Sequence, residues 1–504
     1  MKRFLCWLAV VIAALMLTAC GRGISSHPSD ELYFSTSLGP RTWDPHPETR
    51  NFTYGWYSLV YDGLMTTDAQ GSIIPSLATE WDLSPTALTM TLATGVTFAD
   101  GTAFDAAAVK WNIEKEQAQA GTSPALKVIS AVDVIDPTHV TFRLSRPAPN
   151  LVNQLAGLPG LMVSPGVSEK DLQAGVPAGT GPYVLDRDAS QKDTKYVFTP
   201  NPTSWVAKSA HFKRVVGNIT SDEVASANAL RSHQVDVAYL TPTQAVSIGS
   251  DFEISTAPAY VQSFVILDAG GKKLAPLAEE KVRQAMALAV DRNIFVSKIN
   301  GGYGEAVDQL FPEGAGHVDG YQAPQRDVAR ARQLLAEAGV DKVTIATSTW
   351  GSFSIGNLAL KSMFGDIGVD LSLENVAPGQ DIVGITGGDY PGVYTYIPDR
   401  DPLSVYAKYL SKTAPYNPYH HADPVIDAAM AKAVRNMGDP AAMDAAYADL
   451  MKRVYETGWI VPIARYETLI GYNPSTVTDV AAWTGVTAGF YIRDVKPVST
   501  GQSQ

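Results

Sequence analysis

The sequence predicts a mixed α/β chain built from several folding units. Three observations carry that expectation. Segments with a two-residue apolar repeat are interspersed with segments of helical spacing. The chain has 504 residues, more than a single hydrophobic core usually serves. Its 45% hydrophobic and 18% charged content is that of a globular protein, not of a disordered or collagen-like one.

The elements follow in order. In residues 87–98, Leu88, Met90 and Leu92 share one face while Thr89 and Thr91 share the other, which predicts a strand. Residues 139–145 alternate in the same way, with Val140, Phe142 and Leu144 opposite His139, Thr141 and Arg143. Gly181-Pro182 reads as a turn into a strand over 183–186. Residues 260–267, YVQSFVIL, have the continuous apolar character of a buried strand. Val282, Met286, Ala289 and Ile294 lie near one stripe of 278–299, with acids in the first turn, which predicts one helix over that span. Residues 327–338 predict a helix that starts at an Asp327 cap and stops at Gly339. Residues 425–436 and 440–456 predict two alanine-rich helices. The loops 200–202, 270–276 and 301–324 are candidate breaks, and no fixed-period repeat is present.

The N-terminus predicts export. Lys2 and Arg3 precede an apolar run from Phe4 to Leu17, too short for a stable membrane span and of the length of a signal-peptide core. Leu17-Thr18-Ala19-Cys20 resembles a bacterial lipobox, which implies cleavage before Cys20 and a diacylglyceryl group on its sulfur. Residues 1–19 are then a leader and 20–29 a small, polar, lipid-anchored tether. Cys6 and Cys20 are the only cysteines. The body therefore holds no disulfide framework, thiolate metal site or cysteine nucleophile. A net charge of -12 argues against nucleic acid as a partner. The zinc-helix, phosphate-loop and nucleophile-elbow signatures are absent, so a secreted hydrolase is the weaker alternative.

One long stretch is more specific. In residues 59–114, Tyr61-Asp62-Gly63-Leu64, Gly71, Pro75, Leu77-Ala78, Trp81, Gly95-Val96, Phe98, Asp100-Gly101, Phe104 and Val109 stand in a set order. Gly179-Thr180-Gly181-Pro182-Tyr183, Val282-Arg283-Gln284-Ala285, Ala329-Arg330 with Leu334-Leu335, and Asp399 to Pro402 follow downstream. Together these resemble the solute-binding proteins of peptide and nickel ABC importers, family 5, from about residue 30 to residue 470. The glycines read as turn positions, and Trp81 and Phe98 as core.

The resemblance implies an α/β, two-lobed, periplasmic-binding-protein type II-like fold with a hinge and an extra α+β subdomain in the first lobe. It divides the body into 30–51 (first lobe), 52–172 (subdomain), 173–265 (first lobe), 266–469 (second lobe) and 470–504 (return to the first lobe). It implies capture of a di- to oligopeptide, delivery to ABC permease subunits in the membrane, no catalysis, no cofactor and a monomeric state. A sensor or chaperone use of the same fold stays open. Asp399 is the first candidate for the ligand ammonium, with Asp401 second, although Asp401-Pro402 also reads as a helix start. Arg400, Trp350, Tyr394, Tyr396, Trp43, Tyr54 and Trp56 complete the candidate ligand-binding set, and Arg41, Arg143 and Arg146 are further cations for a carboxylate. The alternative ligand is nickel or a nickel chelate, for which His420, His421 and His46 are the candidate imidazoles. Gly160 and Leu403 stand where that reading would look for an arginine and a histidine.

Overall fold

The computed structural model describes residues 27–48, 50, 53–119, 126–220, 222–351, 353–377, 379–398, 401–484 and 489–499. The lipobox with Cys20, the leader and most of the tether lie outside the described residues, as do Asp399 and Arg400. Among the described residues, no helix is long and apolar enough to cross a membrane.

A nine-stranded sheet runs through both lobes. The strand Glu31–Thr36 pairs in parallel with Arg214–Ile219 and Val237–Leu240 in the first lobe. Two long antiparallel strands, Glu253–Ile266 and Ile460–Tyr472, carry the sheet into the second lobe. Ile460–Tyr472 pairs at its C-terminal end, Leu469 to Tyr472, with Val237–Leu240, and Glu253–Ile266 pairs through Val261 to Ile266 with Gly392–Ile397. The register shifts between Pro258 and Tyr260 and again between Gln262 and Ser263. A bulge bends and twists a strand, and Pro258 brings no N–H to the ladder. The two lobes thus meet at a locally weakened stretch of continuous sheet.

Each unit buries its own core. Leu32, Phe34, Trp56 and Phe198 belong to the first lobe, and Phe264, Met286, Phe364 and Trp459 to the second. The subdomain packs the helix Ala106–Gln117 on the four-stranded sheet of Ala78–Leu83, Ala87–Leu92, His139–Leu144 and Ile129–Asp136. Its core runs from Leu64 to Met162, inside the expected limits of 52 and 172. Tyr54 to Tyr61 and Leu172 pack in the first lobe instead. The reason is local: Gly63 and Leu161 form an antiparallel bridge where the chain leaves the first lobe and returns.

The helix expected over 278–299 is broken. Glu280–Ala289 stops at the extended Val290, and Asp291 restarts the chain by accepting from the Ile294 N–H at 3.2 Å. A good internal cap outweighs the continuing stripe. The other expected helices form as Val328–Glu337, Pro424–Arg435 and Pro440–Glu456, each started by an aspartate cap.

The sequence motifs prove to be packing devices. Asp62 accepts from the buried Thr180 Oγ1 at 2.8 Å, from Trp205 Nε1 at 2.8 Å and from the buried Arg493 at 2.6 Å. This joins two motif segments to the returning C-terminal segment. Gly179 and Gly181 allow the close approach, because a Cβ at either would meet the Val60 carbonyl oxygen, at 2.0 and 2.7 Å. Arg283, buried in the second lobe, donates to the carbonyls of Thr457, Ala269, Leu277 and Ala278.

A second buried network ties the first lobe to the subdomain. Asn112 Nδ2 donates to Ala108 O and Val163 O, so its Oδ1 accepts, at 3.1 Å from His46 Nε2. The other nitrogen, Nδ1, lies 2.6 Å from Asp44 Oδ1, and Lys115 Nζ lies 2.8 Å from Asp44 Oδ2. Burial alone would raise the Asp44 carboxyl, but the His46 ring and the Lys115 ammonium outweigh it and hold it far below its usual range. Glu116, next along the same helix, is pushed up to about 8 by burial and by the Asp44 charge.

Two outcomes follow from these networks. Arg493→Met leaves the Asp62 carboxylate buried without its cation and should lower unfolding stability by about 3–5 kcal/mol in denaturant titration; a change below about 1 kcal/mol would show that the pair is dispensable. Glu116 holds its proton more tightly in the fold than in the unfolded chain, so it stabilises below its ordinary value of 4.5 and gives that up as pH rises to about 8. Glu116→Gln should therefore retain roughly 1–4 kcal/mol that the parent loses over that window, read as melting temperature against pH. Equal slopes in the two proteins would remove Glu116 from the account.

Candidate functional site

In open α/β sheets, ligands bind outside the carboxyl ends of the strands, where helix N-termini also point. In the first lobe those ends are Thr36, Ile219 and Leu240, followed by the helices Glu223–Arg231 and Pro242–Val246. In the second lobe, Val343–Thr349 and Val369–Asn375 run parallel and lead into the helices Phe353–Gly365 and Gln380–Gly387. The crossover strands connect the two sets.

An aromatic wall lines this junction. Tyr260 and Tyr466 are paired across the crossover ladder, and Tyr396 pairs with Gln262 on the adjoining strand. The Tyr396 ring stacks on Tyr466 at 5.3 Å, leans on Tyr260 at 6.3 Å and meets Phe353 at 4.7 Å, and Phe353 in turn meets Trp350 at 5.3 Å. All five side chains are partly exposed. Burial raises the Tyr466 phenol, and the charges of Tyr396 and of Glu223, at the start of the first-lobe helix Glu223–Arg231, raise it further. The Glu223 carboxyl is itself raised, first by burial and then by Asp222. Flat apolar faces, phenol hydroxyls and one carboxylate suit a small polar ligand with a positive end.

The expected residues divide into groups. Trp350 and Tyr396 stand in the wall. Tyr394 is 2% exposed and wedged among Phe295, Phe353 and Tyr396, with Gly356 passing so close that a Cβ there would lie 2.4 Å from its ring. It is core: it shares a strand face with Tyr396, but the helix Phe353–Gly365 packs directly over it. Trp43, Tyr54 and Trp56 are also core: Trp43 and Trp56 pack on Tyr196 and Phe198, and Tyr54 on Tyr491. Asp401 caps its helix, accepting from the Ser404 N–H at 2.7 Å and the Ser404 hydroxyl at 2.6 Å. Arg143 pairs with Asp133 on the exposed subdomain sheet.

The candidate imidazoles are scattered over separate units. Both nitrogens of His46 are engaged in the buried network above, which leaves neither for a metal. His420 is exposed on a turn, with Nδ1 2.9 Å from the Lys412 carbonyl. His421 packs on Trp459 at 4.9 Å, and burial lowers its ring below the ordinary range. Among the described residues, no three His, Cys, Asp or Glu side chains gather as a metal-ligand set.

Tyr260, Tyr466, Phe353 and Glu223 were not singled out from the sequence. The one signal for them was register: Tyr260 opens an apolar strand, and Tyr466 joins it only when the two crossover strands are paired.

Comparison with known proteins accords with this architecture. The profile of the bacterial extracellular solute-binding proteins, family 5 (middle region), matches residues 72–417. The glutathione-binding protein GsiB of Escherichia coli K12 is 26% identical over 355 residues, covering 68% of this chain and 67% of GsiB. Among solved structures, the PBP AgaA of A. tumefaciens R10 with agropinic acid superposes with a TM-score of 0.79 at 21% identity, over 94% of this chain and all of AgaA. DppA of Helicobacter pylori with the peptide STSA gives 0.76 at 19% identity, over 93% of this chain and 98% of DppA. NikA of Brucella suis with Fe(III)-EDTA gives 0.80 at 20% identity, over 94% of this chain and all of NikA. With that profile matched across most of its length on this two-lobed sheet, the chain belongs to the bacterial extracellular solute-binding proteins of family 5, which bind solutes and are not enzymes.

Proposed function

We propose that the protein captures a short peptide between its lobes and hands it to the permease of an ABC importer. The observation that carries this reading is the aromatic wall on the crossover strands, with the Glu223 charge on its first-lobe side. A peptide offers both groups that such a site can use: side chains for the aromatic faces and an ammonium for carboxylates. The names of the relatives support the class, since GsiB is a glutathione-binding protein and DppA was solved with a tetrapeptide. Asp399, between the strand Gly392–Ile397 and the cap Asp401, supplies the second carboxylate in this reading. Bending at the bulged crossover closes the lobes, and ligand favours the closed form by its greater affinity for it. The chain acts as a monomer, anchored outside the cytoplasmic membrane through lipid on Cys20.

Calorimetry and melting curves test this with glutathione, a tetrapeptide and nickel–histidine as probes. A peptide at 100 times its dissociation constant stabilises the fold by about 2.7 kcal/mol. Tyr466→Ala and Asp399→Asn should each weaken it by roughly tenfold or more, as loss of a central anchor does. Asp401→Ala should lower stability by about 0.5–2 kcal/mol and leave affinity unchanged. A shift with nickel–histidine alone, abolished by chelator, would overturn the peptide reading in favour of a metal chelate. Cys20→Ala should move the protein from the membrane fraction to the soluble one; an unchanged distribution would remove the anchor.

A further inference from the structure

The first lobe holds a second cavity, of about 210 Å³, near the sheet edge remote from the second lobe. Its walls include Tyr196 from the strand Lys195–Pro200 and Leu185 from the edge strand Tyr183–Leu185. Four strand spacings, roughly 19 Å, separate the Tyr196 strand from the crossover strand Ile460–Tyr472. The cavity is therefore distinct from the aromatic wall.

Its lining is unusual for a chain of net charge -12. Arg41, Arg187 and Lys192 face it, and no aspartate or glutamate does, although Asp186, Asp188 and Asp193 lie on the same hairpin. None of the three cations forms an ion pair or a side-chain hydrogen bond among the described residues. They reach the cavity from two separate segments, the loop after the first strand and the 186–195 hairpin. All three are exposed, and their summed positive charge at one cavity attracts an anion. Trp43 lines the cavity through its ring; its indole N–H is closed to solvent and meets no acceptor among the described residues. Leu172, Leu185 and Ala174 add an apolar side.

We propose that this cavity binds a small organic anion, a phosphomonoester or carboxylate on a short carbon stem. The guanidinium groups of Arg41 and Arg187 and the ammonium of Lys192 hold the oxyanion, and the stem lies along Leu172 and Leu185. Guanidinium pairs with carboxylate and phosphate through two parallel hydrogen bonds, so the two ligand types share one site.

Calorimetry on the full-length protein in low-salt buffer tests the assignment, with inorganic phosphate, glycerol 3-phosphate and succinate as probes. At least one should give saturable heat that weakens as salt screens the cations. The doubly substituted Arg187→Gln/Lys192→Gln protein should bind the same probe roughly tenfold more weakly or worse. Both residues are exposed, so its melting temperature should match that of the parent. A glutathione or tetrapeptide titration should be unaffected by the double substitution, which keeps this site's failure distinguishable from failure of the peptide reading. No saturable heat with any of the three anions, equal anion affinity in the two proteins, or competition between anion and peptide would each overturn the proposal.

Discussion

The antiparallel ladder between Glu253–Ile266 and Ile460–Tyr472 is the constraint on which the rest of the molecule depends. It is the backbone route by which one lobe's sheet becomes the other's. It must hold two cores in register and still bend. Pairing along most of its length does the first. Pro258, Pro462 and the two register shifts, clustered where the lobes meet, permit the second. The reciprocal amide pair of Gln262 and Asn300, at 2.9 and 3.1 Å in the interior, pins the upper half so that bending concentrates below it. The same ladder places Tyr260 beside Tyr466, so the crossover and the aromatic wall are made from the same residues.

Around that ladder, the polar interior acts as a set of stitches between distant segments. Asp62 gathers Thr180, Trp205 and Arg493, and Arg283 gathers four carbonyls. A buried carboxylate or guanidinium is tolerable only when it is fully paired, so each stitch admits one arrangement of the chain. Conserving such pairings keeps a large, discontinuous lobe assembled when its pieces come from remote parts of the sequence.

This explains what could be read in advance and what could not. Periodicity located the strands at His139–Leu144 and Ala87–Leu92 and the helices with aspartate caps, because those signals are local. Motif spacing located the family architecture. The long helix over 278–299 failed at Asp291, where a cap interrupted a persisting stripe. The ligand wall was only partly legible. Trp350 and Tyr396 sat beside recognisable turns, whereas Tyr260 and Tyr466 become neighbours only through pairing of the crossover strands. Tyr394 shares its strand face with Tyr396, and only the packing of the helix Phe353–Gly365 over it, a long-range contact, makes it a core ring. Trp43, Tyr54 and Trp56 share a different cause: an aromatic-rich segment after a first strand serves a core as readily as a pocket.

The bridge between Gly63 and Leu161 has a broader consequence. Because the chain departs and returns through neighbouring positions, the segment between them is topologically a graft on a closed parent fold. Its ends are already in contact, so closing the parent without it, or exchanging it for a segment of another length, requires no rerouting of the remaining chain. Change in that graft is uncoupled from the bending axis. A lineage built on this plan can therefore exchange that module while the crossover ladder stays as it is.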